Sequence, residues 1–531
     1  MMRVLTLVTA FCAAAAFSQA QDCDLIIRNG RIIDGAGNPW FYGDVAVAGG
    51  RIAAVGTLDP GAAAPRVIDA QGHYIAPGFI DVHTHCEDDL LRHPDAENFI
   101  RMGVTTIIMG NCGSSYPRLA DAFTSQAVKG ASPNYASLAG HNTIRQKIMG
   151  NVNGNPSTTE IAAMKDLVGQ AMRDGAVGLS TGLIYTPGIF AKTPEIVALA
   201  AEAKKYGGIY ATHMRSEGNN IFEAINEAIT VGRETSIPVH ISHFKIVSPK
   251  HFGESTRTIQ MIEDARRGGL DVTADQYLYT ASSTGITMML PDWALEGTSS
   301  ALLARLRDPV MRKKMIDDMI AERRDKAGRK DLSYARVANF RADASINGMN
   351  LLDLARKWRG SESWEAQNEV ILDIVTSGGA SMVYHSMSAE DVRRIAQWPL
   401  TMFGSDSGVR VPGEGMPHPR GYGNCARALA HFVRDTGLLR LEDAVRKMTS
   451  YPAQRFGFHD RGLLRPGCAA DIVIFDLARV SDNSTFDKPH AYASGFTHVI
   501  VNGVPVIDDE RATGQRPGKP LYGRGRTSQS R

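Results

Sequence analysis

The 531-residue chain is too long for one small core and calls for two or more domains. Its composition, 43% hydrophobic and 21% charged, is that of an ordinary globular protein. A net charge of +2 excludes nucleic acid as the main partner and leaves a small-molecule enzyme or binding protein.

The chain opens with Arg3, an apolar run from Val4 to Phe17, and Ser18-Gln19-Ala20, with small residues at the positions a signal peptidase reads. The run is short for a membrane span, so residues 1–20 read as an export signal cleaved after Ala20, destined for the periplasm or beyond. No later stretch is long and apolar enough to span a bilayer. Export permits disulfides, but Cys23, Cys86, Cys112, Cys425 and Cys468 are too few for a disulfide scaffold. Cys23 and Cys468 fall in stretches assigned to one β domain, so a bond between them is allowed but not required.

Residues 21–78 are short β runs with turn signals. Leu25-Ile26-Ile27 and Arg31-Ile32-Ile33 flank Asn29-Gly30, a hairpin signal, and two further runs flank Gly49-Gly50. Residues 461–515 repeat this style, with Asp471–Phe475 and with His498–Val501 before Asn502-Gly503. Two β-rich ends around a different middle predict one discontinuous β-sandwich domain.

Between them, residues 79–460 alternate apolar runs with helical stretches. The runs begin at Phe79, Val104, Tyr135, Ala176, Gly208, Pro238, Leu270 and Leu400. Eight β/α units predict an α/β fold, a (β/α)₈ barrel. The long gap before the eighth run predicts an insertion at about 290–350, with a helix opened by Asp308-Pro309, that could cover the barrel mouth. Residues 516–531 read as a loose basic tail.

Active-site residues of such barrels sit at the carboxyl ends of the strands. The first run leads into His83 and His85, whose period-two spacing points both imidazoles the same way. The second ends in Asn111-Cys112-Gly113, the fifth in His213, the sixth in His243 and the eighth in Asp406. Imidazole, thiolate and carboxylate are donors that Zn²⁺ prefers. A carboxylate such as Asp406 beside a metal-activated water can take its proton and return it to a leaving amine. The pattern therefore points to metal-assisted hydrolysis.

This layout resembles the amidohydrolase superfamily, and within it the D-aminoacylase (N-acyl-D-amino-acid deacylase) family, over nearly the whole chain after the export signal. Many superfamily members bridge two metals with a modified Lys after the fourth strand. Here that strand, Ala176–Gly182, has no Lys, whereas Gly110-Asn111-Cys112-Gly113 matches the Cys loop of the D-aminoacylases. The resemblance implies one tight Zn²⁺ on Cys112, His213 and His243, a weaker second position bordered by His83, His85 and Asp406, and Asp406 as the proton shuttle. It also implies a substrate bearing a free carboxylate, held by Lys245, Tyr185, Ser283 (or its neighbour Ser282) and Arg420; a guanidinium fork, an ammonium and hydroxyls suit that group. Cys86 departs from the family's His-Thr-His-Asp-Asp and reads as a space-filler. The expected reaction is hydrolysis of N-acyl-D-amino acids. Hydrolysis of a cyclic amide or of a dipeptide with a C-terminal D-residue is the alternative, and a metal-free scaffold is the second.

Overall fold

The computed structural model describes residues 23–527; the export signal expected over residues 1–20 lies outside them. Eight strands form the barrel: β1 (Phe79–Asp81), β2 (Val104–Met109), β3 (Asn134–Ser137), β4 (Gly178–Gly182), β5 (Ile209–His213), β6 (Val239–Ile241), β7 (Val272–Gln276) and β8 (Thr401–Phe403). They are parallel and run in chain order around the sheet. Every residue of these strands is buried, which is why they read as continuous apolar runs rather than alternating ones.

Two short links close the ring. Ala139–Gly140, just past β3, pairs with β4. A bridge between Thr84 and Ser407 joins the ends of β1 and β8. Asp81 reinforces that seam, its Oδ1 accepting from the backbone N–H of His83 at 3.1 Å and of Ser405 at 2.9 Å. Helices pack outside. Ser157 and Glu160 form a reciprocal capping box that opens the helix Thr158–Asp174, and Gly175 ends it at φ 111°. The helix Ile221–Thr235 buries Ile221, Ile225 and Ile229, one face at four-residue spacing.

The two β-rich ends meet in one nine-stranded sheet, where Ile472–Phe475 pairs antiparallel with Tyr74–Pro77. Gly49-Gly50 and Asn502-Gly503 are two-residue hairpin turns with left-handed backbone at both positions. Asn29-Gly30 is not a hairpin: Leu25–Ile32 is one strand, paired on both sides of a bulge with Phe41–Ala48. Asn29 takes φ 58° there, and Asp44 Oδ1 accepts its N–H at 2.9 Å, so the left-handed residue is absorbed by a bulge instead of reversing the chain. Cys23 and Cys468 are both free thiols.

The insertion between β7 and β8 is wider than about 290–350. It contains a three-stranded antiparallel sheet of Ser282–Gly285, Ser381–Tyr384 and Ala335–Asn339, in that order. Ser282–Gly285 is Ser-Ser-Thr-Gly, with no apolar alternation to mark it as a strand. A separate core of Ile286, Met315, Met319, Val370, Ile371 and Ile374 supports it. Asp308 caps the helix Pro309–Ile320 through the N–H groups of Val310 and Met311. The tail is also packed, up to Thr527. Pro517 and Pro520 bridge to Ala131 and Tyr135, Leu521 donates to Tyr135 O at 2.8 Å and is buried, and Gly523 donates to Gly175 O at 2.8 Å. Backbone pairing holds this segment, and composition carries no trace of that.

Lys447 is fully buried on the helix Leu441–Met448 and donates to the carbonyls of Trp398 and Thr401, the turn that feeds β8. Burial pushes its pKa down from 10.5 to about 7, and a neutral amine has two N–H groups for those two carbonyls. Above the folded pKa the unfolded chain binds one more proton than the folded one, so this residue makes stability rise with pH between about 7 and 10.5. Relative to Lys447→Met, the parent protein should gain up to about 1.4 kcal/mol per pH unit across that window. Urea unfolding midpoints of the two proteins at pH 7 and pH 9.5 check this; parallel profiles would show that Lys447 stays charged.

Candidate active site

Closure of the barrel brings the strand ends together around one thiol. Cys112 Sγ lies 3.3 Å from His83 Nε2 and 3.4 Å from His243 Nε2. His213 stacks edge-on to His243 with ring centroids 4.2 Å apart. Potential ligand atoms of Cys112, His213 and His243 all lie within 4.8 Å of one another, as do those of His83, His85 and Cys112, and those of His83, His243 and Asp406. His85 Nε2 is 3.1 Å from Asp406 Oδ1, and His83 Nε2 is 3.8 Å from it.

The backbone is bent to achieve this. Cys112, His243 and Asp406 have φ of 53°, 36° and 51°, left-handed values that side-chain-bearing residues adopt only when surrounding structure imposes them. Gly110 and Gly113 make the Cys112 turn possible. A Cβ on Gly110 would lie 2.2 Å from Leu138 O, and one on Gly113 would lie 2.1 Å from Asn142 Oδ1. These residues follow strands from the opposite sides of the barrel, so no local sequence pattern announces their meeting.

The electrostatics favour a cation. Burial pushes the Cys112 thiol up, but the His83 and His243 imidazoles beside it hold its pKa well below the ordinary value. Burial lowers the pKa of His213, and neither of its ring nitrogens has a hydrogen-bond partner. A neutral, buried imidazole with an orphaned lone pair, beside a thiolate and a second imidazole, is a donor set that fits Zn²⁺.

Carboxylates beneath the site orient it. Asp275, at the end of β7 and fully buried, approaches His83 Nδ1 at 3.2 Å and His240 Nε2 at 2.9 Å, and accepts the His243 N–H at 2.8 Å. Glu217 approaches His243 Nδ1 at 2.8 Å and accepts from Lys245 Nζ at 2.5 Å. Burial would raise the Glu217 pKa, yet Lys245 and the two imidazoles bring it down to about 2. Sequence reasoning missed Asp275 and Glu217. Asp275 carries the one available signal, an acid next to the last residue of a barrel strand.

A cavity of about 550 Å³ opens over the cluster, with His85, Cys112, Asn142, Tyr185, Ser283 and Asp406 on its wall. Ser283, not Ser282, lines it. Tyr185 bonds Thr284 Oγ1 at 3.0 Å and stacks edge-on to His213. Arg420 lies just beneath, its Nη1 2.8 Å from Asp406 Oδ2, and Lys245 lies behind His243 on Glu217. The ring of Tyr277, another residue that sequence reasoning missed, lies under both cations, 4.4 Å from the Arg420 guanidinium carbon and 5.6 Å from Lys245 Nζ. Cys86 is buried away from the cluster with its thiol pushed up by burial, as a space-filler would be.

A model of the amidohydrolase family matches residues 66–507. A D-aminoacylase of Alcaligenes xylosoxydans xylosoxydans is 36% identical, over 95% of this chain and 98% of its own. An N-acyl-D-glutamate deacylase of the same organism is 34% identical, over 94% and 96%. The crystal structure of N-acyl-D-glutamate deacylase from Bordetella bronchiseptica, complexed with zinc and a phosphonate mimic of the tetrahedral intermediate, superposes with a TM-score of 0.81 at 32% identity, over 94% of this chain and 100% of that one.

Asp275→Asn keeps the size of the side chain but weakens its hold on the backbone of His243, in the Cys112–His213–His243 cluster, and on His83 beside it. Loss of such an outer partner typically costs about 10–100-fold in metal affinity, and a drop of that size is expected here. Competition with a chromophoric chelator measures it; parent-like affinity would show that Asp275 serves packing alone.

Proposed function

The chain belongs to the amidohydrolase family, among the D-aminoacylases and N-acyl-D-amino-acid deacylases, and on that premise we propose that it hydrolyses the amide bond of N-acyl-D-amino acids with Zn²⁺ held by Cys112, His213 and His243. The observation that carries this reading is the one-thiol, two-imidazole cluster at the floor of a pocket flanked by buried cations. Bound there, zinc supplies an activated water and polarises the scissile carbonyl.

The chain's own residues do the rest. Asp406 stands between His85 and Arg420; in this reading it takes a proton from the attacking water and gives it to the departing amine nitrogen. Its pKa sits well below the ordinary carboxylate value: burial opposes this, but Arg420 and the imidazoles outweigh burial. A substrate carboxylate that draws the Arg420 guanidinium to itself leaves Asp406 more basic, which couples binding to chemistry. Tyr185 and Ser283 supply hydroxyls on the same wall, and Lys245 adds positive charge from behind His243. Fixing the carboxylate at one end and the scissile carbonyl at the other leaves only the side chain and the hydrogen of the α-carbon to exchange places, so room for the side chain on one of those two sides selects the hand. His83 and His85, with Asp406, border a second, weaker metal position.

Amine release from paired N-acetyl-D- and N-acetyl-L-amino acids tests the reaction. Release from D substrates alone is expected, and release from neither by zinc-loaded protein would sink the proposal. Arg420→Ala should cut kcat/KM for these substrates roughly 100-fold, the cost of truncating one partner of a buried charge pair. A cyclic amide, lacking the carboxylate, should lose only the part that comes from the change at Asp406, so the loss is expected to be larger for the N-acyl-D-amino acids. Arg3, the apolar run and Ser18-Gln19-Ala20 support an exported enzyme. Mass spectrometry of protein made with an export apparatus should find Gln21 at the N-terminus; retention of Met1 would contradict export by this route.

A further inference from the structure

A second cavity, of about 350 Å³, opens at the other end of the barrel. Val177, Ile209, Pro238 and Leu400, at the amino ends of β4, β5, β6 and β8, form its apolar floor. The catalytic cluster lies at the carboxyl ends of these strands, so whatever enters this cavity is not the substrate in its reacting position.

Its polar wall is net positive. Arg266, Arg455 and Arg524 line it, and Asp271 is the single acid among the lining residues. Asp271 is already engaged by two of the three arginines: Arg455 grips it with two bonds, Nη2 to Oδ1 at 2.8 Å and Nη1 to Oδ2 at 3.1 Å, and Arg266 reaches Oδ1 at 3.4 Å. Arg455, with a side chain only 4% exposed, is a fixed charge rather than a solvated surface one. Arg524 comes from the packed C-terminal segment; it is exposed, and its Nη2 lies 3.4 Å from the His459 Nε2 ring nitrogen. Tyr451 also lines the cavity; its hydroxyl is covered in this structure and has no hydrogen-bond partner, so a small shift of the Tyr451 ring is needed before it can donate to a ligand. A buried phenol lacking a partner costs free energy unless something else accepts its proton. Three guanidinium groups against one carboxylate leave two positive charges uncompensated; Arg455 is fixed above the apolar floor, and Arg266 and the exposed Arg524 stand at the rim.

We infer that this cavity at the amino-terminal face of the barrel is an anion-binding site for a phosphate dianion, free or carried on a small organic group, held by Arg266, Arg455, Arg524 and the Tyr451 hydroxyl. A dianion matches the charge excess. A phosphate also offers more acceptor oxygens than a monocarboxylate, enough for several guanidinium donors and a phenol at once. The apolar floor leaves space for an organic substituent.

Calorimetric titration of the full, zinc-loaded chain with inorganic phosphate and with phenyl phosphate, at constant ionic strength in chloride, tests the site. Saturable binding in the millimolar range or tighter is expected, weakened about tenfold in Tyr451→Phe and in Arg524→Ser, each of which removes one donor to a charged acceptor. Tyr451→Phe deletes a single oxygen and leaves the fold intact, so it reads the site even where Arg455 variants fail to fold. Binding of inorganic phosphate alone supports the site with the free ion as occupant; tighter binding of the ester supports it with an organic phosphate. No saturable heat, or titrations unchanged in both variants because phosphate binds at the metal instead, would overturn the inference. This outcome is independent of the deacylase reaction, which is read at the opposite face.

Discussion

One carboxylate ties the catalytic end of this molecule together. Asp275 takes hydrogen bonds from a first-strand imidazole, a sixth-strand imidazole and the backbone of His243, so the first and sixth strands are referenced to one pair of oxygens carried by the seventh. A fully buried carboxylate is tolerable only when such partners surround it. Burial would raise its pKa, and the His83 and His240 imidazoles reverse that and hold it well below the ordinary range. The charge that remains fixes the ring orientation and tautomer of His83 and thereby places the nitrogen that faces Cys112.

Strain is stored above that carboxylate. Three of the residues that make the cluster, Cys112, His243 and Asp406, sit in left-handed backbone. A left-handed non-glycine residue costs on the order of 1–3 kcal/mol, and three of them persist because the closed barrel over-determines each turn. The return is geometric: ends of strands that would otherwise splay apart aim their side chains at one volume. The seam from Asp81 to Ser405 and His83 keeps β1 and β8 from parting under that strain.

The barrel was legible because its strands are buried on both faces, and runs such as Val104–Met109 carry that fact in one dimension. The cluster was legible because His, Cys and Asp fall at five strand ends at once. Other features were hidden for physical reasons. Ser282–Gly285 forms an edge strand with no apolar alternation, so the insertion looked shorter than it is. The tail resembles a loose segment because its order comes from backbone hydrogen bonds to β3 and Gly175, which any sequence without clashes could make. Asn29-Gly30 has the chemistry of a turn, but the partner strand continues past it and converts the turn into a bulge. Glu217 and Tyr277 reach the site from loops whose path only the folded chain defines.

In the proposed centre a buried thiolate shares the cation with two imidazoles. X-ray absorption at the zinc edge of protein loaded with one equivalent of Zn²⁺ tests this most directly. A first shell with one sulfur at about 2.3 Å and imidazole nitrogens at about 2.0–2.1 Å is the predicted result. A shell of nitrogen and oxygen alone, with no sulfur, would contradict it by showing that Cys112 is a bystander and that the centre is built on His83, His85 and Asp406 instead.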